Sequence, residues 1–320
     1  KTSWQYGIGN VISLVMIAMG LIVLYMNQKS TGSRKSFTTV SGKSGQISKI
    51  NLGKVGQWVV AVVLCILVVF FCIGPMVSFA LESVLPNPGT GDFSGLTWKY
   101  WVSKNHDIGS AGYNGIFHND EFWKSIKGSL LLSVACSLIA GTVGLLIGYA
   151  VARKRKSKLA NGVNALAFLP YLLPSITLSA IYFVMASNMS SIGITFLYTA
   201  PMFLAIVLGS IKYIPFASRS ATNAMLQLSA EIEESAVIQN VPWWKRMVRV
   251  IFPIQKSTFI SGYILPFTSC MRELSLFVLL AAGQTVLLTT LLDEWMQWWP
   301  QSANALNLLI VVTVLIINFL

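Results

Sequence analysis

The sequence predicts an all-α membrane protein with six core helices and one leading helix. Of its 320 residues, 54% are hydrophobic and 11% are charged, whereas a typical soluble domain has about 25% charged residues. Apolar runs of about 20 residues recur along the chain, which is the length needed to cross a bilayer as a helix. The charged residues lie between these runs and form no domain-sized basic face. The net charge of +12 therefore indicates membrane topology and not nucleic-acid binding.

Seven apolar runs are candidate spans, and in chain order they are 7–26, 57–80, 129–152, 163–186, 195–214, 257–282 and 303–320. The segment after the first run carries six basic residues and no acidic residue among Gly, Ser and Thr. That composition is typical of a linker. The positive-inside rule places this segment in the cytoplasm.

The remaining loops alternate in charge, as this orientation requires. Of the 23 basic residues, 17 lie in the three segments predicted to be cytoplasmic, which are 27–56, 153–162 and 212–256. Of the 11 acidic residues, seven lie in the three segments predicted to be outside, which are 81–128, 187–194 and 283–302. The predicted topology is therefore self-consistent.

The sequence begins with Lys1 and stops at Leu320 inside an apolar run, as a piece of a longer polypeptide would. We interpret 1–26 as the last transmembrane helix of a preceding unit and 27–56 as a basic cytoplasmic linker. The rest, 57–320, is predicted to form a six-helix domain.

The longest predicted inward loop, 215–256, is polar and amphipathic, which a simple helix bundle does not require. Within it, 229–239 predicts a short helix with acidic residues in its first turns, where the helix dipole favours negative charge. Asn240 tolerates the left-handed conformation of a helix stop, and Pro242 cannot continue the helix. A second amphipathic stretch follows and ends at Pro253. We predict that another protein docks on this loop.

The loop resembles the EAA loop of permeases of binding-protein-dependent ABC importers. That family's pattern is Glu-Ala-Ala, three residues, Gly, nine residues, then Ile-x-Leu-Pro. With the same spacing, this sequence has Glu234-Ser235-Ala236, Asn240 and Val250-Ile251-Phe252-Pro253. The resemblance implies a multi-pass permease of the bacterial cytoplasmic (inner) membrane, whose loop forms a coupling helix in a cleft of the ATPase subunit. Its implied ATPase-coupling residues are Glu234, Ser235, Ala236, Asn240, Pro242 and Pro253.

The alternative is that this loop forms an amphipathic helix lying on the membrane surface. Interfacial binding does not require the EAA spacing. In addition, Glu231, Glu233 and Glu234 would be repelled by anionic lipid. The docking interpretation is therefore preferred.

The chain has no G-x-x-x-x-G-K-[ST] phosphate loop, so we expect separate ATPase subunits, two in number, to bind ATP and Mg²⁺. No cofactor is expected in this chain. The other expected partners are an extracytoplasmic substrate-binding protein, the other permease half, fused or separate, and membrane lipid, without nucleic acid.

Neither a catalytic site nor a metal site is expected. No G-x-S-x-G or H-E-x-x-H motif occurs, so enzymatic chemistry is not predicted. His106 and His118 lie in an outer loop without a cysteine or carboxylate cluster at ligand spacing. We therefore interpret both histidines as solvated loop residues.

Arg272 and Glu273 lie inside the predicted span 257–282. Charges inside a membrane usually face the protein interior or a water-filled path, so we predict that they line or gate the translocation pathway. The alternative is an interaction that only holds the helices together. Adjacent residues on a helix point about 100° apart, so each would need a partner elsewhere.

Two segments resemble the ferric-iron branch of these permeases. Met271-Arg272-Glu273-Leu274-Ser275 resembles the Arg/Lys-Glu-Leu segment of that branch, and 169–176 (Leu-Pro-Tyr-Leu-Leu-Pro-Ser-Ile) resembles its Leu-Pro…Pro-Gly-Ile helix start, with Ser175 in place of Gly. Members of the branch are often fused, with two six-helix halves joined by a basic linker. The resemblance implies an ATP-driven ferric-iron importer, of which this chain is the second permease half. The alternatives are an ABC importer of thiamine, a polyamine or a phosphonate, and a secondary ion-coupled transporter.

Overall fold

The computed structural model describes residues 53–319, except 88, 92, 105, 109, 110, 155, 156 and 281–285, together with 11, 12, 14–20, 22 and 26. The described residues of the predicted leading helix are helical. The rest of 1–26 and the linker as far as residue 52 lie outside the described residues.

Helices dominate the described chain, which confirms the predicted fold class. Their bounds are α1 Gly53–Glu82, α2 Lys99–Val102, α3 Asp120–Arg153, α4 Lys158–Leu172, α5 Ser175–Ser191, α6 Phe196–Thr199, α7 Pro201–Gln227, α8 Ala230–Ile238, α9 Trp243–Arg246, α10 Phe252–Ile254, α11 Lys256–Met271, α12 Leu288–Trp298 and α13 Pro300–Phe319. Two π-helical turns also occur, Val69–Ile73 within α1 and Met247–Ile251 between α9 and α10.

The outer loop contains the one β-sheet of the described residues. Strand β1, His106–Ile108, pairs antiparallel with β2, Ala111–Tyr113. A 3₁₀ turn, Ile116–His118, follows before α3 begins. The hairpin is too short to change the fold class.

Four described helices, α1, α3, α7 and α13, are long and apolar enough to cross a membrane. The predicted span 163–186 is instead a pair of helices, α4 and α5, bent by 98°. The break falls at Leu173 and Pro174, where Leu173 is extended. A residue before proline is driven out of the helical region because the proline ring clashes with its backbone. The pair is therefore not a continuous helix, and its geometry is that of a broken span or a re-entrant loop.

The chain forms two compact units. Among the described residues, the first contains 130–280 and the described part of the leading helix, and the second contains 53–129 and 286–319. In the second unit, α13 packs on α1 and α12. The amide of Gln301 donates to the carbonyl of Pro86 at 2.9 Å, which fixes the start of α13 to the loop after α1.

In the first unit, α3 and α7 approach closely where small residues face each other. A Cβ atom added at Gly144 would lie 2.5 Å from the Cβ of Ala217, and one added at Gly148 would lie 2.6 Å from the Cβ of Ala221. Small residues permit such close approach of transmembrane helices. Helix α11 also packs on α7, so these helices form the body that holds the candidate site.

Candidate functional site

The predicted coupling helix is present as α8, Ala230–Ile238, within one residue of the predicted bounds. Ser229 begins the helix because its hydroxyl accepts a hydrogen bond from the backbone N–H of Glu231 at 3.3 Å. Such a cap satisfies one of the N–H groups that a helix start leaves unpaired. Glu231 and Glu233 lie in the first turn, where the helix dipole stabilises negative charge.

Asn240 ends the helix in the left-handed conformation, with φ of 55°. Its backbone N–H donates to the carbonyl of Val237 at 2.9 Å, and the N–H of Val241 donates to the carbonyl of Ala236 at 3.0 Å. These two bonds define a Schellman motif, in which glycine is the commonest residue and asparagine the next choice. The predicted left-handed stop is confirmed, and the motif accounts physically for Asn240 at the glycine position of the pattern.

The second arm of the segment runs from Trp243 to Ile254 as α9, a π-helical turn and α10. Pro253 has no backbone N–H, and in a regular α-helix its ring would clash with the carbonyl four residues earlier. The wider π turn, Met247–Ile251, lies immediately before it. The arm thus passes through proline without ending.

Glu233 anchors α8 to the rest of the first unit. Its carboxylate accepts a hydrogen bond from the Nε of Arg153 at 2.7 Å and another from the hydroxyl of Tyr149. The Nε of Arg246 lies 3.8 Å from Oε1 of Glu233, the oxygen that Tyr149 contacts. Glu233 is 8% exposed, so this charge lies in a protected cluster. Tyr149 also packs edge-on against the ring of Trp243, with centroids 5.8 Å apart.

This anchor was not predicted, because sequence reasoning selected Glu234 and not its neighbour. The partners of Glu233 lie 80 and 84 residues away at the end of α3, and no local pattern connects them. The available signal was weak: adjacent residues of a helix point about 100° apart, so Glu233 and Glu234 need not share one environment.

The predicted ATPase-coupling residues lie on the face of this segment that is not packed against the rest of the first unit. Ala236 is half-buried and the others are exposed, namely Glu234, Ser235, Asn240, Pro242 and Pro253. Two large apolar side chains accompany them, with Ile238 82% exposed and Trp244 66% exposed. An exposed apolar pair beside a carboxylate is typical of a protein-docking surface.

A hydrophobic core fixes the inner side of the same segment. Met247 and Ile251 are buried against Leu145, Met225 and Phe259, which lie on α3, α7 and α11. Arg246 also donates from Nη1 to the carbonyl of Val241 at 2.9 Å, which ties the second arm to the end of α8. The segment therefore shares one buried core with three helices.

The second predicted site, Arg272 and Glu273, does not lie within a continuous helix as the sequence predicted. Helix α11 ends at Met271, and 272–280 form turns, so 257–282 is not one helix. The side chain of Glu273 accepts a hydrogen bond from the backbone N–H of Leu276 at 3.2 Å. Such a bond stabilises a turn in competition with the helix. Arg272 is exposed, whereas the side chain of Glu273 is 17% exposed.

Lys212 is the cation next to Glu273. Its Nζ lies 3.7 Å from the Oε2 of Glu273 and donates to the hydroxyl of Ser175. Tyr213 donates from its hydroxyl to the same Glu273 oxygen at 2.6 Å. Lys212 is 7% exposed, so its charge is sequestered.

The predicted inward loop, 215–256, begins too early in the chain. Helix α7 continues to Gln227, so the first part of 215–256 belongs to a helix, and Lys212 lies inside this helix instead of in the inner segment 212–256. Ala217, Ala221 and Ala224 are all buried. Their spacing is helical and is the signal that could have extended the predicted span.

The two histidines lie in the second unit, His106 in β1 and His118 at the end of the 3₁₀ turn. Within the described ranges, no three His, Cys, Asp or Glu side chains lie close enough together to hold a metal ion.

Solved structures of a bacterial alginate ABC transporter share this fold. The crystal structure of a bacterial ABC transporter involved in the import of the acidic polysaccharide alginate matches with a TM-score of 0.58 and 16% identity, over 82% of this chain and 94% of that chain. The alginate transporter in complex with an alginate pentasaccharide-bound periplasmic protein gives the same TM-score and identity, over 82% and 90%. An inward-facing methionine ABC transporter has a TM-score of 0.45 and 17% identity, over 62% and 92%.

Comparison with curated protein sequences gives no significant match. Residues 144–320, more than half of the chain, match the family described as "Binding-protein-dependent transport system inner membrane component". This range contains residues 229–254, with α8, α9 and α10, and the Lys212–Glu273 pair. The chain therefore belongs to the inner-membrane permease family of binding-protein-dependent ABC importers.

Proposed function

We propose that this permease imports ferric iron and forms the second half of a fused or two-chain permease. The observation that carries the proposal is a convergence at Lys212. Ser175 belongs to the segment 169–176 and Glu273 belongs to 271–275, the two segments that resemble the ferric-iron branch. Both side chains contact Lys212. The resemblance is thus concentrated at one polar position among apolar helices.

The chemistry of this position is compatible with a hard cation. Glu273, Tyr213 and Ser175 offer carboxylate, phenol and hydroxyl oxygens, the donor class that hard metal ions prefer. Lys212 offsets the carboxylate while the pathway is closed. We propose that Glu273 and Arg272 form a gate with only low affinity, so that substrate identity resides in the extracytoplasmic binding protein.

The coupling segment, 229–254, supplies the mechanical link. We propose that two separate ATPase subunits, which bind ATP and Mg²⁺, dock on the outer side of α8 and α9. Their closure displaces the segment, and the Glu233 anchor and the buried Met247 and Ile251 transfer that displacement to α3, α7 and α11. The bundle then changes from inward-open to outward-open, and the binding protein delivers the solute to the outer loops.

The test is to purify the intact complex, identify its subunits and measure ATP hydrolysis with and without the iron-loaded binding protein. Stimulation by the iron-loaded form, but not by the iron-free form or by thiamine, polyamine or phosphonate with their binding proteins, supports ferric-iron import. Stimulation by one of those solutes instead would keep the importer and replace its substrate. Absence of an ATPase subunit and of nucleotide dependence would favour a secondary ion-coupled transporter.

A matched pair of variants tests the coupling surface. Glu234→Arg reverses an exposed charge of the docking face, and we expect loss of transport and of ATPase stimulation with normal membrane insertion. Lys158→Glu also reverses an exposed charge, but at the start of α4, outside the docking face, and serves as the control. Normal transport by Glu234→Arg would contradict the assignment.

A further inference from the structure

A cavity of about 520 Å³ lies in the first unit, between the end of α3 and the start of α4. Its walls are mainly apolar, with Leu146, Ala150 and Val163 among them, and Arg153, Lys154 and Ser157 also line it. Its volume is within the range of about 300–1,000 Å³ that is typical of ligand sites. The positive-inside rule places this end of α3 on the cytoplasmic side of the membrane.

The polar part of the cavity has an excess of positive charge. Arg153 and Arg246 face the single carboxylate of Glu233, so this cluster retains one positive charge. The Nη2 atom of Arg153 is buried and has no hydrogen-bond partner among the residues that the structure describes. A buried guanidinium nitrogen without an acceptor is costly. Lys154 adds an exposed cation beside it.

The start of α4 also favours the binding of an anion in this cavity. Ser157 caps this 15-residue helix by accepting a hydrogen bond from the N–H of Ala160 at 3.4 Å. The first turn of a helix directs its free N–H groups outward and favours an anion. The cavity thus combines an apolar wall, two basic side chains and a helix start.

We propose that this cavity binds an anionic phospholipid of the inner leaflet. Its phosphate accepts from Arg153 and Lys154 near the first turn of α4, and an acyl chain lies along Leu146 and Val163. Basic pockets between transmembrane helices on the cytoplasmic side are suited to anionic headgroups. Charge complementarity excludes a neutral lipid as the preferred occupant, and the apolar walls exclude a free phosphate ion.

The occupant would also act on the coupling segment. Arg153 donates through Nε to Glu233 of α8, and its side chain also lines the cavity. A bound phosphate therefore restrains the guanidinium that anchors α8. This inference depends on the membrane topology and not on the identity of the imported solute.

The test uses the intact complex in nanodiscs that contain equal amounts of phosphatidylglycerol and phosphatidylcholine, followed by native mass spectrometry of the lipids retained. We expect preferential retention of phosphatidylglycerol. Each basic residue near a membrane surface contributes about fivefold to anionic lipid binding, so Lys154→Gln should lower retention about fivefold. Lys158→Gln is the matched control, because Lys158 is exposed but does not line the cavity.

A second variant, Val163→Trp, places a large side chain in the cavity without changing its charge. Val163 is 42% exposed, so the replacement leaves the buried core intact, and we expect it also to displace phosphatidylglycerol. Equal retention of the two lipids by the unmodified complex would overturn the proposal. Equal losses in Lys154→Gln and Lys158→Gln would likewise overturn it, because they would indicate general surface attraction.

Discussion

Replacing Glu233 by Gln tests whether this residue anchors the coupling helix. Glutamine has nearly the same shape but no charge, so Arg153 and Arg246 lose their shared counter-charge. A hydrogen bond to a charged group contributes about 1.5–3 kcal/mol, and breaking a buried ion pair costs about 3–5 kcal/mol. The side chains of Arg153 and Glu233 are 18% and 10% exposed, so solvent offsets part of this cost. We take a loss of about 3 kcal/mol, within these two ranges.

The assay is hydrogen exchange of the backbone amides of α8 in the purified complex. At about 1.4 kcal/mol per factor of ten, the loss corresponds to local opening about a hundredfold more frequent. Glu234→Gln is the control, because Glu234 is exposed and is expected to leave α8 protected. Both variants should lose ATPase stimulation, but for different reasons.

Unchanged exchange in Glu233→Gln, or equal exchange in the two variants, would refute the anchoring role. A charge exchange, Glu233→Arg with Arg153→Glu, keeps the total charge of the cluster. It should restore protection of α8 at least in part, whereas either single reversal should abolish it.

Substitutions at Asn240, Gly148 and Lys212 probe other parts of the fold. Asn240→Gly should leave the thermal midpoint unchanged or raise it, because glycine adopts the left-handed conformation without strain, whereas the β-branched residue in Asn240→Val should lower the midpoint. Gly148→Leu should lower the thermal midpoint by overpacking against Ala221, at a cost of about 1–3 kcal/mol; an unchanged midpoint would contradict the close contact. Lys212→Met should stop transport in proteoliposomes and lower the thermal midpoint, because it removes the ammonium group 3.7 Å from the carboxylate of Glu273, and adding Glu273→Gln should recover the midpoint.

The sequence was sufficient wherever the determining interactions are local. The apolar runs located most helices, and the helix stop at Asn240 followed from the intrinsic preferences of asparagine and of the following proline. The break at Pro174 was missed, because a proline inside an apolar run can either bend a helix or end it.

The buried ion pairs could not be predicted, because their partners are distant in the chain. Glu273 and Tyr213 are 60 residues apart, and Glu233 and Arg153 are 80 residues apart. Only the packing of α7 against α11, and of α8 against α3, brings them together. Sequence periodicity identifies which face of a helix is apolar, but it does not specify which helix covers that face.

The pairing of Lys212 with Glu273 has an electrical consequence. Their charged atoms lie 3.7 Å apart, so a movement that carries both groups together transfers no net charge across the bilayer. The membrane potential performs work of about 2.3 kcal/mol per elementary charge per 100 mV, and on such a pair the two contributions cancel. Joint displacement of this lysine and glutamate is therefore insensitive to voltage, and the rate of that step should not change as the cell energises or depolarises its membrane.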